Sequence, residues 1–325
     1  MKSIDFGETL LRIKALKVLV LGDMMLDCYQ WGKVQRISAE APVPVIEISS
    51  VEHRLGGAAN VALNLAAIGA QVTPLGVLGK DDSARIFRKL FKRHNLPADG
   101  LIEVKGRKTT LKTRIGAANQ QIVRIDIEDT DDITEPVQTL LLAKLESLIP
   151  QADLLIIEDY NKGLLTSTLI HNTLTLCRQH KVLVAVDPKQ QNFFNYKGVD
   201  IFKPNFSEIE TNLGLKLRTD EEFFHAAESL RKKMRLKNLV VTRGAHGLYV
   251  FGSLRLHIPS YARDVYDVSG AGDTVISILA SAFAASGDMS HAAICANHAA
   301  AVVCGKLGTA VATAEEILES IHDQR

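Results

Sequence analysis

The second half of the chain alternates short apolar runs with amphipathic stretches, and that rhythm leaves few folds open. Ala152–Glu158 is an apolar run ending in Glu158-Asp159-Tyr160, and a helical stretch follows from about Thr166 to His180. Val182–Val186 ends in Asp187-Pro188-Lys189. Val199–Lys203 ends in Pro204-Asn205, with a helix over Phe206–Leu213. An amphipathic helix over Glu221–Met234 leads to Leu239–Thr242, which ends in Arg243-Gly244. Short continuous apolar runs suit strands buried on both faces, and strands alternating with helices build a doubly wound parallel sheet. Lys17–Gly22 is one more such run, with Asp23 and Asp27 behind it. The predicted class is therefore α/β, a mostly parallel sheet flanked by helices. Polar residues recur just past the predicted strand ends, at Asp23, Asp159, Asp187, Asn205 and Thr242, and ligands of open α/β sheets bind along that edge. Asp23 and Asp27 can accept hydrogen bonds there from a sugar's hydroxyls, or simply cap loops.

Two glycine-rich turns lead into apolar helices. Ser269-Gly270-Ala271-Gly272, within the stretch Asp264–Gly287, runs into the uncharged segment Val275–Ala285, which Gly287 stops. Glycines that let successive N–H groups point outward, followed by a helix N-terminus, make a nest for an anion such as phosphate. A carboxylate in that nest repels phosphate. Asp273 makes sense there as a base that takes the proton from an attacking hydroxyl, or else as a helix cap beside glycines that only turn. The other entry is Leu55–Gly69. Its Gly56-Gly57 pair lets a ligand approach the backbone, and Asn60 and Asn64 fall one helical turn apart on one face.

Between these lies a different texture. Ala41–Ile48 carries two prolines, which favour an edge strand or protruding ribbon. Gln71–Gly79 reads as a strand and Asp82 to about Asn95 as an amphipathic helix. Thr109–Asp126 alternates like a hairpin with Lys112, Arg114 and Arg124 interleaved. With the proline ribbon it makes a small second sheet over the main one, its cations either holding an anionic group or guarding an edge.

The chain has 325 residues, 46% hydrophobic and 23% charged, enough for one large α/β domain or two. A net charge of +1 gives no basis for a nucleic-acid or membrane-surface partner. Asp5 and Glu8 precede any apolar run, unlike a secretory signal, and no uncharged run reaches the roughly 20 residues of a membrane span. Cys28, Cys177, Cys295 and Cys304 are scattered, as in a reduced cytoplasmic protein. No G-x-G-x-x-G follows the first strand, and G-x-x-x-x-G-K-[ST], H-E-x-x-H and C-x-x-C do not occur.

The segments Gly56-Gly57-Ala58-Ala59-Asn60 and Asp267-Val268-Ser269-Gly270-Ala271-Gly272-Asp273-Thr274, in this order, resemble the paired signatures of the ribokinase-like (PfkB) carbohydrate kinases. The resemblance extends to the heptose-7-phosphate kinases through Gly22-Asp23 with Asp27, Arg36–Val45, Asn119-Gln120-Gln121, Asp159–Gly163, Asp187-Pro188-Lys189, Pro204–Glu208, Val265-Tyr266-Asp267 and Gly305–Thr309. What it implies is one kinase domain over 1–325. In that domain a doubly wound sheet carries a β lid, from strands at about 34–50 and 107–127, that also forms a homodimer interface. It implies ATP-dependent phosphorylation of D-glycero-β-D-manno-heptose 7-phosphate at its anomeric hydroxyl, with Mg²⁺ and a monovalent cation such as K⁺.

By the same resemblance Asp273 is the base, and Gly270, Ala271 and Gly272 form the anion hole. Asn205, Phe206, Ser207, Glu208, Thr242, Gly244 and Asn297 bind nucleotide, with Glu208 holding Mg²⁺ through water. Asp23, Asp27, Gly56, Gly57, Asn60, Lys112, Gln121, Arg124, Asp159 and Lys162 bind the sugar, and Asp267, Ser269 and Gly308 hold the monovalent cation. Ser269 stands where Thr is common and Phe206 where Leu is. Glu158 stands where a small residue is frequent, adding a charge near the phosphate path. The chain ends at Arg325 without an H-x-G-H segment, so the adenylyl transfer found in many relatives is expected elsewhere. Two other readings stay open: a kinase of this fold for another sugar or sugar phosphate, and a non-catalytic nucleotide-binding relative. The kinase reading requires Asp273 to share a cleft with Asn60 and Asn205.

Overall fold

The structure, a computed structural model, describes residues 5–117, 120–262 and 265–323. Asn119 and Asp264, singled out above, lie outside the described residues. The strands are β1 (Lys17–Gly22), β2 (Met24–Ile37), β3 (Pro44–Gly57), β4 (Gln71–Gly79), β5 (Leu101–Val104), β6 (Thr110–Ala117), β7 (Gln120–Ile127), β8 (Leu154–Glu158), β9 (Leu183–Asp187), β10 (Ile201–Phe202), β11 (Asn238–Thr242), β12 (Leu248–Phe251) and β13 (Arg255–Ile258). The helices are α1 (Phe6–Ile13), α2 (Ala58–Ala67), α3 (Asp82–Arg93), α4 (Glu135–Leu148), α5 (Ser167–His180), α6 (Phe206–Leu213), α7 (Asp220–Met234), α8 (Ala271–Ser286), α9 (Met289–Cys304) and α10 (Ala314–His322).

The main sheet runs β13-β12-β11-β10-β9-β8-β1-β4-β5. It is parallel from β11 to β5, and the β11–β12–β13 meander adds an antiparallel edge that the sequence rhythm did not disclose. Strand β1 shows why such runs read as continuously apolar. Val18 and Val20 enter one core cluster, Leu19 and Leu21 the other, because successive side chains point to opposite faces of a sheet covered on both sides. From β1 the chain steps outward to β4 and β5, then resumes on β1's other side with β8, β9, β10 and β11. The connections reverse direction between β1 and β8, and a crevice opens at the carboxyl ends of strands at such a switch point.

A second sheet, ordered β3-β2-β6-β7, stands apart from the first. Its ribbon is longer than the proline pattern suggested, beginning at Met24 rather than near residue 34. Met24–Tyr29 are buried, so this half packs inward while Lys33–Ile37 project into solvent. Pro44 is the first residue of β3, an edge strand, where a missing N–H costs no ladder bond.

Helices α2 and α8, which bring the two glycine entries together, pack against each other. Ala58, Ala59, Val61, Ala62 and Leu65 of α2 and Ile276, Ile278, Leu279, Ala280 and Ala282 of α8 are fully or almost fully buried. The serines of α8 escape the cost of burial by bonding back along the helix, Ser277 to the Asp273 carbonyl at 2.6 Å and Ser281 to that of Ser277 at 2.7 Å. All four cysteines are free and buried. Among the described residues no helix is long and apolar enough to cross a membrane.

Asp23 fastens the switch point. Its N–H donates to the Glu158 carbonyl at 3.2 Å and its own carbonyl accepts from Ala58 at 3.1 Å. Its Oδ2 accepts the N–H groups of Tyr160 at 2.8 Å and Lys162 at 3.1 Å. Burial, and the neighbouring Asp159, push the Asp23 carboxyl up from 3.8 to about 7. The folded protein therefore holds a proton that the unfolded chain gives up between roughly pH 4 and 7, and this residue's contribution to stability declines as pH rises through that window. Asp23→Asn keeps an acceptor oxygen and removes the ionisation. Its melting temperature relative to wild type should be more favourable at pH 8 than at pH 5, and an equal difference at both values would contradict the shift.

Candidate active site

Both glycine entries end in N-caps that only glycine adopts readily. Gly57 has φ +56°, and a Cβ there would lie 2.5 Å from the Asp23 carbonyl. Gly270 has φ +78°, and a Cβ there would lie 2.7 Å from Asn60 Nδ2. Neither helix has a side-chain cap, so their first turns stay open. The Ala271 N–H donates to the Val268 carbonyl at 3.2 Å, whereas Gly272 and Asp273 sit where a helix's N–H groups have no carbonyl one turn back.

Asp273 lies beside that open turn. Asn60 Nδ2 donates to its Oδ2 at 2.8 Å, and the Tyr160 hydroxyl donates to its Oδ1 at 2.9 Å. Asn64 Nδ2 braces Asn60 through its carbonyl at 2.9 Å, and Thr274 donates to Asn64 Oδ1 at 2.9 Å. The carboxylate is 3% exposed, more enclosed than an open cleft would leave it. Burial pushes it up to about 6, against the two hydrogen bonds from Asn60 and Tyr160.

A row of charges runs along the rim behind Asp273. Gly22, Glu158 and Asp187 are paired across β1, β8 and β9, so the two carboxylates project from adjacent strand ends. Lys203, just past β10, is 3% exposed and pairs with Asp187 at 2.7 Å. Burial opposes its charge, but Asp187, Glu158 and Glu208 outweigh it and hold the ammonium protonated. Lys189 pairs with Glu208 Oε1, while Glu208 Oε2 accepts the Asn205 N–H at 2.8 Å in a capping box that starts α6. Burial, then Asp187 and Asp273, push the Glu158 carboxyl well above the usual range. Its Oε2 is buried and accepts no hydrogen bond from the described residues.

The remaining sequence-selected residues fall into groups. Thr242 lies beside Asn205 in a parallel bridge, and the Arg243 guanidinium lies 4.4 Å over the Phe206 ring. Ser207 and Gly244, the latter at φ +52°, are exposed nearby. Asn297 is buried in α9 and donates to the Pro259 carbonyl at 2.6 Å. Asp267 joins the three expected cation-site residues, its Oδ1 accepting from Ser269 at 2.9 Å and its Oδ2 from Gly308 at 3.0 Å.

On the sugar side, Asp27 sits next to Gly56 and pairs with Arg114. Lys112 pairs with Asp126 at 3.1 Å and Glu128 at 3.4 Å, and Lys162 with Glu128 at 2.8 Å, so both ammoniums are neutralised inside the protein. Arg124 and Gln121 lie on exposed β7, Arg124 bonded to Asp126. Asp159 is 1% exposed and spends its oxygens on Tyr196 at 2.6 Å, Asn192 at 3.3 Å and the Asn161 N–H at 2.8 Å, as an interior brace.

Tyr160, Glu158, Asp187, Lys189 and Lys203 form much of this site, though from the sequence only Asp187, on the ligand-binding edge, and Glu158, near the phosphate path, had been placed there. Four of them carried a signal, since Glu158 and Asp187 end adjacent strands and Tyr160 and Lys189 follow within two residues. Lys203 reads as the last residue of a strand run, and only its pairing with Asp187 reveals its place in the site.

A family model described as "pfkB family carbohydrate kinase" matches residues 15–316. The chain is 40% identical over 312 residues to the bifunctional protein HldE of Geobacter sulfurreducens, covering 95% of this chain and 64% of that protein, so it spans less than two thirds of the relative's length. The backbone superimposes on phosphofructokinase-2 from Escherichia coli in complex with potassium, with TM-score 0.79 and 16% identity over 95% of this chain and 99% of the other. Arabidopsis thaliana ribokinase complexed with ribose and ATP gives TM-score 0.76 and 17% identity over 94% and 99%. These likenesses establish the ribokinase-like fold. Membership implies phosphoryl transfer to a sugar hydroxyl with ATP and a divalent metal. The chain belongs to the pfkB family of carbohydrate kinases.

Proposed function

We propose that this protein is a cytoplasmic kinase that transfers the γ-phosphoryl group of ATP to the anomeric hydroxyl of D-glycero-β-D-manno-heptose 7-phosphate. The product is the 1,7-bisphosphate used in ADP-heptose and lipopolysaccharide core synthesis. The observation that carries the reaction type is the Asp273 carboxylate beside the open first turn of α8, oriented by Asn60 and Tyr160. The choice of sugar rests on the heptose-kinase-like segments and on the 40% identity to the HldE relative.

Asp273 takes the proton of the anomeric hydroxyl. Each of its oxygens already accepts one hydrogen bond and keeps a lone pair for that step. An anomeric hydroxyl is more acidic than an ordinary alcohol, so a carboxylate suffices as base. The first-turn N–H groups of Gly272 and Asp273 face charge that develops on the transferring group, and the Gly270–Gly272 turn lets phosphate come close. Asn205, Phe206, Thr242 and Gly244 form the nucleotide side. Asp27, Gly56, Gly57 and Asn60 form the sugar side. The donor set suits a hard divalent cation such as Mg²⁺, because Glu158 keeps a buried oxygen with no hydrogen bond. When bound, that cation neutralises phosphate charge. Asp267, Ser269 and Gly308 are the proposed K⁺ region.

The second sheet is the proposed lid, excluding water that would otherwise hydrolyse ATP. It exposes Val34, Ile37, Val51, Ile122, Val123, Ile125 and Ile127 to between 42% and 63%. Apolar exposure on that scale supports a homodimer through this sheet.

Asp273→Asn should lower turnover by roughly 10²-fold or more, the scale of a general base, with ATP affinity little changed. Near-normal turnover would remove Asp273 from the reaction. A panel of sugars and sugar phosphates assayed by ADP release should give the highest kcat/KM with heptose 7-phosphate. A higher value with ribose, fructose or a hexose phosphate would reassign the substrate and leave the kinase chemistry standing.

A further inference from the structure

At the amino ends of the parallel strands, on the far side of the main sheet from Asp273, lies a cavity of about 570 Å³ lined by Arg178, Lys197, Gly198, Lys233 and Arg235. Arg178 is in the last turn of α5 and Lys233 in the last turn of α7. Lys197 precedes β10, and Arg235 caps α7 ahead of β11. The Gly198 N–H donates to the Met234 carbonyl at 2.9 Å and the Lys237 N–H to that of Val199 at 3.2 Å, so the two basic segments are fastened side by side. A strand of five residues such as β9 spans roughly 16 Å, which keeps this cavity apart from the residues around Asp273.

Every charged side chain lining the cavity is positive. Cations at adjoining positions are paired: Arg231 bonds Glu228 at 2.7 Å, Lys232 reaches the same carboxylate at 3.8 Å, and Lys237 bonds Asp200. Arg178, Lys197, Lys233 and Arg235 form no ion pair among the described residues, and Lys233 Nζ lies 5.3 Å from the centroid of the Phe194 ring. The whole chain carries a net charge of +1, so four unpaired cations around one concavity are a local concentration and not a general excess.

Helix C-termini attract cations, which accounts for Arg178 and Lys233. It does not account for Lys197, which belongs to neither helix. Nor does it account for Arg235, which caps α7 at φ +54°, where glycine or asparagine is the usual residue. Like charges gathered at one concavity repel, and an anion placed among them removes that repulsion. The volume falls within the roughly 300–1,000 Å³ of small-molecule sites and exceeds what a single phosphate fills. Arg178 and Arg235 supply planar forks that grip phosphate oxygens in pairs, and Lys197 and Lys233 supply compact point charges.

We infer that this cavity binds a small polyphosphate anion, at a site separate from the catalytic cleft. The binding does not depend on the kinase reading, so the test omits ATP and sugar.

Inorganic triphosphate is titrated into magnesium-free protein at physiological ionic strength by calorimetry. The nucleotide side of the catalytic cleft also takes phosphate chains, so the readout is the difference between proteins. Wild type should bind one triphosphate per chain that Arg178→Gln/Arg235→Gln binds at least about tenfold more weakly, the loss expected when charge-assisted hydrogen bonds are removed. Lys197→Gln/Lys233→Gln gives the same readout should the first variant not melt cooperatively. Identical titrations for wild type and a folded double variant would overturn the inference. So would citrate binding at these residues as tightly as triphosphate, which would remove the phosphate assignment. Either result would leave the sugar-panel outcome untouched.

Discussion

One buried carboxylate joins three separate parts of this chain. Asp273 opens α8 near the C-terminal end of the sequence, Asn60 lies in α2 near the other end, and Tyr160 follows β8 in between. Their two hydrogen bonds require that α2 and α8 pack closely and that β8 end next to both. The small residues of α2 and α8 permit the first condition, and the switch point between β1 and β8 supplies the second. The site is therefore a consequence of the sheet's winding order more than of any local motif. Fixing the base and the hydrogen-bond donors in advance is also what lets such a site stabilise charge without reorganising at the moment of reaction.

Holding that carboxylate away from water raises its proton affinity, and the surroundings answer the cost in stages. Asn60 and Tyr160 donate to Asp273, Lys203 balances Asp187, and Lys189 balances Glu208. Glu158 is the member left over, with an oxygen that none of the described residues satisfies. Buried unsatisfied groups are few in folded proteins and concentrate where something binds. Burial and the neighbouring Asp187 and Asp273 push the Glu158 carboxyl well above the usual range, which favours its neutral form.

Much of the fold was legible because periodicity reports burial directly. Lys17–Gly22 and Phe206–Leu213 are a strand and a helix with the bounds read from the sequence, and the parallel sheet follows from the alternation. The outward ribbon was legible only from its proline end. Met24–Tyr29 follow so closely on β1 that their apolar pattern merges with it, and Asp27 read as a loop residue when it lies within β2. Of the site, the two glycine signatures were visible because close backbone approach demands glycine. The side chains that complete it were harder. Tyr160, Glu158 and Asp187 acquire meaning from cross-strand register, and whether Lys112 and Lys162 face a ligand depends on Asp126 and Glu128, acids that no spacing rule links to them.

The account depends on Asp273 meeting the sugar, and the most direct measurement is a crystal structure with heptose 7-phosphate and a non-hydrolysable ATP analogue bound together. It should place an Asp273 carboxylate oxygen at hydrogen-bond distance, about 2.6–3.2 Å, from the anomeric hydroxyl. The γ-phosphoryl group should lie over the first turn of α8. A sugar whose anomeric oxygen faces some other group, with Asp273 still enclosed between Asn60 and Tyr160, would contradict the mechanism at its centre.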